Sequence, residues 1–112
     1  MSTRAAVNRV ASSNKEHLKE VMREYGIPLY MRDSLVQYIL VGRPVGDFLT
    51  AIINNDLKGA VNRADDENQK LIVQYVKFLY NNAPNGCWGS FDSTKHWIER
   101  GGLYPSMREE LS

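Results

Sequence analysis

Residues 65–86, DDENQKLIVQYVKFLYNNAPNG, contain a helix start, an apolar helical pattern and a helix stop. Asp65 or Asp66 can cap a helix and places negative charge at its amino end. The segment 81–86, rich in Asn, Pro and Gly, ends it. Apolar residues at helical spacing lie between these signals: Leu71, Ile72, Tyr75, Val76, Phe78, Leu79 and Tyr80. Because this is the most apolar predicted element, we expect it at the centre of the domain.

The chain on the amino-terminal side shows a similar order of caps, apolar faces and breakers. A first helix is predicted from Ser13 or Asn14 to Tyr25, where Gly26 and Pro28 stop it. A second helix begins within residues 29–33 and ends at residue 41, before a glycine. Its apolar residues cover more than one face, which predicts burial on two sides.

A third helical region begins near Pro44, which suits the first turn of a helix. The weak helix formers Asn54, Asn55 and Asp56 interrupt its apolar pattern. They can bend one long helix or separate two short ones, and the sequence leaves both arrangements open.

The carboxyl-terminal part predicts one short helix, capped by Asp92 or Ser93 and stopped at residues 101–102. No segment alternates apolar and polar residues as a strand does. We therefore expect a single all-α domain of about five helices over residues 13–104. Residues 1–12 are predicted to form a flexible arm and residues 105–112 a loose tail.

Composition narrows the class of protein. The 112 residues carry a formal charge of +1 and contain one cysteine. The near-neutral charge argues against a protein that binds nucleic acid through its net charge alone. A single cysteine cannot form a disulfide within the chain, and a lone thiol suits a reducing compartment. Residues 1–20 contain no continuous apolar core, and no apolar stretch approaches the roughly 20 residues of a membrane span. We expect a cytoplasmic protein that does not contact a membrane.

The sequence offers little catalytic chemistry. One cysteine and two distant histidines, His17 and His96, do not form a zinc motif. Cys87 lies in an apolar loop, which favours a structural thiol over a nucleophile. The acidic cluster 65–67 could hold a cation, but its position at a helix start accounts for its charge. We predict a non-enzymatic protein with no catalytic residue, metal or cofactor.

The binding candidates are basic, amide and aromatic side chains near helix ends and loops. Asn81 and Asn82 could cap a helix or contact polar ligand edges. Trp88, between two glycines, could stack on a ligand or close the core. Arg63 and Arg43 add positive charge, and these five residues are our predicted ligand-binding set.

Charge is also uneven along the chain. Residues 1–32 contain six basic and three acidic residues, a net charge of +3, whereas the remainder contains eight basic and ten acidic residues, a net charge of −2. The basic amino-terminal part could contact phosphates, or it could be an ordinary solvated helix with ion pairs along its own surface.

Residues 42–90 carry a dense pattern of short motifs. It comprises Pro-x-Gly-x-Phe-Leu at 44–49, Asn-Asp-Leu at 55–57, Arg-Ala-Asp-x-Glu-Asn at 63–68, Leu-Tyr-Asn at 79–81 and Pro-x-x-Cys-Trp-Gly-Ser at 84–90. The segment resembles a family of small helical proteins encoded by phages and prophages. The resemblance implies a viral protein that acts in a bacterial host, and it brings no catalytic residue.

Two hypotheses follow. In the first, this is a phage accessory protein that binds and blocks or sequesters a host factor, and it acts as a homo-oligomer. The host factor is either a nucleotide signal of an antiviral defence system or a host defence protein. In the second, it is a nucleic-acid-binding regulator that uses the basic amino-terminal helix. For the second hypothesis we would expect a helix-turn-helix whose second helix is strongly basic. The candidate for that helix, residues 66–81, contains only Lys70 and Lys77 as basic residues, which counts against this hypothesis.

Overall fold

The computed structural model describes residues 4–111, which are all-α. Within that range the structure contains no strand and seven α-helices, more than the five expected. The helices are α1 (Arg4–Glu24), α2 (Leu29–Val41), α3 (Asp47–Ile53), α4 (Leu57–Arg63), α5 (Asp66–Lys70), α6 (Ile72–Asn82) and α7 (Phe91–Arg100), followed by a 3₁₀ turn at Pro105–Met107.

Helix α2 occupies the centre of the domain. All seven residues from 35 to 41 are buried, which confirms the burial on two sides predicted for this helix. The element expected at the centre, residues 66–81, lies instead at the periphery, where α6 buries only Tyr75, Phe78 and Leu79. The periodic pattern of residues 66–81 correctly predicted an apolar helix. How many sides of that helix are buried depends on how many other helices pack against it, which the pattern does not show.

Two breaks explain the larger number of helices. Asn55 has a positive φ of 61°, and Asp56 caps α4 by accepting a hydrogen bond from the Gly59 amide at 3.0 Å. The open question at residues 54–56 is therefore resolved as two short helices. A second break at Leu71, with φ −107° and ψ 4°, divides the predicted 66–81 helix into α5 and α6.

The two ends of the chain also differ from the expected arm and tail. Helix α1 begins at Arg4, and Ala11 within it is completely buried. Arg4 pairs with Glu110, and the buried side chain of Gln37 donates a hydrogen bond to the carbonyl of Leu111. These long-range contacts order both ends and are invisible to local sequence patterns. Residues 1–3 of the arm and 112 of the tail lie outside the described residues.

The carboxyl ends of α2 and α7 meet at glycines. Gly42 and Gly102 have positive φ values of 71° and 76°. The amide of Tyr104 donates to the carbonyl of Leu40 at 2.8 Å. A Cβ atom on Gly102 would lie 2.5 Å from the backbone nitrogen of Val41, so this junction requires glycine both for conformation and for space.

Helix α1 is the longest, with 21 residues, and much of its surface is polar. Across residues 4–111, no helix combines the length and apolar character that a bilayer-spanning segment requires.

Candidate functional site

The outward side of α6 carries a row of exposed apolar residues. Val73 is 61% exposed and Tyr80 is 80% exposed, and Val76 between them is also exposed. Their spacing of three and four residues places them on one side of the helix, opposite the buried aromatic residues of α6. Apolar side chains therefore cover both sides of α6, although the fold covers only one.

Helix α4 extends this apolar surface. Leu57 is 67% exposed, and Val61, one turn later, is also exposed. Leu57 and Val76 line one cleft of about 30 Å³ together with Asp56, so exposed apolar residues of the two helices adjoin at that point. We refer to Leu57, Val61, Val73, Val76 and Tyr80 as the α4–α6 face.

The charged residues on these two helices are all basic. Lys58, Arg63 and Lys77 are exposed, and neither α4 nor α6 contains an Asp or Glu. Among the described residues no ion pair involves any of the three. The nearest carboxylate in sequence, Asp56, is hydrogen-bonded to the amino end of α4. The α4–α6 face is thus apolar, with the exposed Lys58 and Lys77 on its two helices and Asp56 in its cleft.

A network of polar side chains fixes α6 relative to α2 and α5. The Tyr30 hydroxyl donates to the Asp65 carboxylate at 2.9 Å, and the Asn68 amide donates to the Tyr30 oxygen at 3.2 Å. The Tyr75 hydroxyl donates to Asn68 in turn. Since Tyr75 lies on the buried side of α6, this network helps to set which side of the helix points outward.

The same network shifts the pKa values of its members. The hydrogen bond from the backbone amide of Asn68, followed by the one from Tyr30, lowers the pKa of Asp65. Desolvation, together with the negative charge of Asp65 and Glu67, raises the pKa of Tyr30 to about 12. The acidic cluster 65–67 therefore caps α5 and accepts hydrogen bonds from Tyr30. Among residues 4–111 there is no group of three side chains suited to hold a metal ion.

Arg63, one of the five predicted ligand-binding residues, lines a pocket of about 170 Å³. Asp47, Asn54 and Asp56 line the same pocket. Two carboxylates beside one guanidinium offset its positive charge, so this pocket is poorly suited to a phosphate group.

The other four predicted ligand-binding residues do not line the pocket of Arg63. Asn81 donates a hydrogen bond to the hydroxyl of Tyr25, the residue after α1, at 3.0 Å. Asn82 is half-buried in the last turn of α6. Trp88 is half-buried and packs against the core, as the core-closing alternative predicts.

Arg43 has a structural role at the end of α2. Its guanidinium donates to the Gln37 side chain at 3.3 Å and to the carbonyl of Arg108 at 3.1 Å. These hydrogen bonds join α2 to the carboxyl-terminal segment of the chain. The predicted set therefore does not form one ligand site, although Arg63 and Asn81 belong to the helices of the α4–α6 face.

The potential catalytic side chains are not arranged for reaction. Cys87 is completely buried, and burial raises the pKa of its thiol to about 12, so the thiol is protonated near neutral pH. The carbonyl of Cys87 accepts a hydrogen bond of 2.6 Å from the buried Tyr38 hydroxyl. His17 on α1 and His96 on α7 are exposed on separate helices.

The sequence interpretation missed the exposure of the α4–α6 face because it assigned Val76 and Tyr80 to the core. One signal was present: apolar residues in 72–80 leave almost no polar side on the helix.

Comparison with protein-family models, with curated proteins and with solved structures found no match.

Proposed function

We propose that this protein is a non-enzymatic binding protein that blocks or sequesters a host protein through the α4–α6 face. The observation that carries the proposal is the contiguous row of exposed apolar residues on a well-packed domain. Contiguous exposed apolar patches mark interaction sites, because leaving such a surface in water is unfavourable and a partner removes it from water.

Larger clefts of about 560, 420 and 330 Å³ lie elsewhere on the domain. At the α4–α6 face and around Arg63, the shape of the surface favours a protein target over a nucleotide signal. Small-molecule sites enclose their ligands in cavities of about 300–1,000 Å³. The cleft within the α4–α6 face measures about 30 Å³, and the pocket of Arg63 measures about 170 Å³ and includes two carboxylates. An open apolar surface is instead what a protein interface buries at its centre.

The resemblance to small phage proteins supports a bacterial host as the setting and a host defence protein as the target. The nucleic-acid alternative receives less support from the charge distribution. Arg4, Lys19 and Arg23, half of the basic residues in 1–32, already face carboxylates within ion-pair distance. Basic side chains that are paired in this way are less available to phosphates.

Capture from a bacterial host tests the proposal with a matched pair of variants. Val73 on α6 and Val10 on α1 are 61% and 59% exposed, and Glu suits an exposed helical position. We expect the tagged full chain to retain a host protein in stoichiometric amount, Val10→Glu to retain it equally, and Val73→Glu to lose it. Thermal unfolding of both variants should match that of the parent within about 4 °C.

Equal capture by Val73→Glu and the parent chain would overturn the proposed binding face. A panel of cyclic and linear nucleotides provides the second arm of the experiment, with thermal unfolding as the readout. A nucleotide that raises the unfolding temperature equally in both variants would replace the protein target by a nucleotide signal.

A further inference from the structure

We infer that the domain binds a free α-amino acid with a large apolar side chain in a cleft formed by α3, α4 and α7. The cleft consists of two adjoining cavities, the pocket of Arg63 with about 170 Å³ and a larger cavity of about 420 Å³. They adjoin because Thr50 and Asn54 line both. The cleft lies outside the α4–α6 face, so this inference goes beyond the proposed function and does not depend on it.

The pocket of Arg63 presents charges of both signs that are not paired with each other. Asp47 and Asp56 line it beside the guanidinium, yet within residues 4–111 no ion pair joins Arg63 to either carboxylate. One carboxylate oxygen of Asp56 accepts the capping hydrogen bond of α4, and its other oxygen remains for a ligand. Opposite charges that face one pocket without pairing match the two charged groups of a zwitterion.

Gly59 provides the space in which these charged groups approach one another. A Cβ atom at this position would lie 2.7 Å from Nη1 of Arg63 and closer still to Oδ2 of Asp56. Because glycine has no Cβ atom, the guanidinium and the carboxylate both lie over the backbone of α4. The ammonium and the carboxylate of an α-amino acid are also close neighbours, since both are attached to one carbon.

The larger cavity supplies an apolar compartment beside the charged one. Pro44, Phe91 and Ile98 contribute apolar side chains to its wall, and Phe91 is 67% exposed. An exposed ring at a cavity of this size favours an aromatic group in the ligand, because pairs of rings attract beyond the burial of their area. Lys95 and Glu99 also line the cavity, but they pair with each other at 4.0 Å and so offset each other's charge.

Asn54 lies where the two cavities adjoin, and a hydrogen bond orients its amide. The hydroxyl of the buried Thr94 donates to Oδ1 of Asn54. The amide nitrogen of Asn54 is therefore the group that remains to donate to a ligand carboxylate, together with the guanidinium of Arg63. A guanidinium can bind a carboxylate through two parallel hydrogen bonds, which fixes the ligand's orientation as well as its position.

These groups together select an α-amino acid among small molecules. Its ammonium can bind the carboxylates of Asp47 and Asp56, its carboxylate can bind Arg63, and its side chain can occupy the larger cavity. A phosphorylated ligand would meet two carboxylates, and a polyamine would meet the guanidinium. A purely apolar ligand would cover the charged groups without pairing them, which is costly.

Four probes test the inference on the full chain. L-phenylalanine has all three groups, its amide lacks the negative charge, its N-acetyl form lacks the positive charge, and glycine lacks the side chain. In NMR titrations of isotope-labelled protein, L-phenylalanine should bind saturably with a Kd below about 1 mM and shift the amide resonances of residues 47–54 and 91–98. Each of the other three probes should bind at least tenfold more weakly.

Matched variants assign each group of the ligand to its partner. Arg63→Gln should weaken L-phenylalanine at least tenfold and leave the amide unaffected, because the amide has no carboxylate to lose contact with. Asp47→Asn should weaken L-phenylalanine more than its N-acetyl form, and Phe91→Ala should bring its affinity towards that of glycine. The control, Lys58→Gln, removes an exposed positive charge of α4 outside both cavities and should leave every affinity unchanged.

Absence of saturable L-phenylalanine binding, equal affinities for L-phenylalanine and its amide, or equal losses in Arg63→Gln and Lys58→Gln would each overturn the inference. Loss of L-phenylalanine binding in a correctly folded Val73→Glu protein would place the ligand on the α4–α6 face and overturn the site as well. Capture of a host protein is decided separately, because it depends on Val73 and not on Arg63.

Discussion

Helices α2 and α6 are both rich in apolar residues, yet the fold treats them differently. In α2 the seven residues 35–41 are all buried, because α1, the glycine junction with α7 and the 3₁₀ turn surround it. In α6 three residues are buried and three apolar residues remain exposed, because α1, α3 and α5 contact it from one side only. This excess of apolar character over the burial available within the chain is the reason for proposing that another molecule covers α6.

The difference has an energetic consequence. Full burial of a Val or Leu side chain contributes about 1.5–3 kcal/mol relative to exposure. The apolar residues of α2 make this contribution to folding, whereas Val73 and Leu57 can make it only when a partner covers them.

The largest expected effect lies at the junction that encloses the end of α2. Gly102→Ala brings a Cβ atom within 2.5 Å of the Val41 nitrogen and also strains a positive φ, so we expect it to lower the free energy of unfolding by about 3 kcal/mol or more. The control is Gly86→Ala, where φ is 84° and no atom lies within 4 Å of the added Cβ.

Gly86→Ala should therefore show only the conformational cost, about 1–2 kcal/mol. Urea unfolding followed by circular dichroism measures both changes. Equal losses for the two variants would show that close backbone packing at the junction is unimportant.

A second prediction compares the two helices with one residue type. Val36 in α2 is completely buried and Val73 in α6 is 61% exposed. Val36→Ala should lower the free energy of unfolding by about 2 kcal/mol, through lost burial and an unfilled cavity. Val73→Ala should change it by less than about 0.5 kcal/mol. The comparison fails if the two urea midpoints move by the same amount.

A third prediction concerns the polar contacts of the two helices. Tyr38→Phe removes the buried hydrogen bond to the Cys87 carbonyl and should cost about 1–2 kcal/mol, because that carbonyl is left without its partner. Tyr80→Phe, at the exposed end of α6, should leave the unfolding free energy unchanged. A thermal scan of both variants checks the prediction, and an unaffected Tyr38→Phe protein would contradict it.

The smallest effect concerns pH and the network that orients α6. The folded state lowers the pKa of Asp65 below its unfolded value of about 3.9. Its ionised form therefore contributes stability above that pH, and the contribution disappears as the pH falls through the folded pKa. Urea midpoints between pH 6 and pH 2 should decline less steeply in Asp65→Asn than in the parent. Parallel declines would contradict a contribution from this carboxylate.

Local sequence patterns predicted much of the fold. The all-α class, the burial of α2 and a helix cap at Asp65 or Asp66 follow from periodicity and capping preferences, and the structure places the cap at Asp65. The helical start at Arg4 could not be predicted in this way, since it depends on contacts with Glu110 and with the core across the whole length of the chain.

The candidate site was less predictable than the fold. A helical pattern shows that Val76 and Tyr80 are apolar, but tertiary packing alone decides that they point away from the core. Conversely, Arg43 looked available for a ligand because no sequence pattern marks Gln37 or the distant Arg108 as its hydrogen-bond acceptors.

The buried position of Cys87 has a practical value. It is the only cysteine in the chain, and both its burial and its raised pKa protect it from thiol reagents while the protein is folded. A cysteine introduced at Tyr80 would therefore be the single reactive thiol of the molecule. A photo-crosslinker attached there would mark whatever covers α6, with the native thiol left in place as an internal indicator of unfolding.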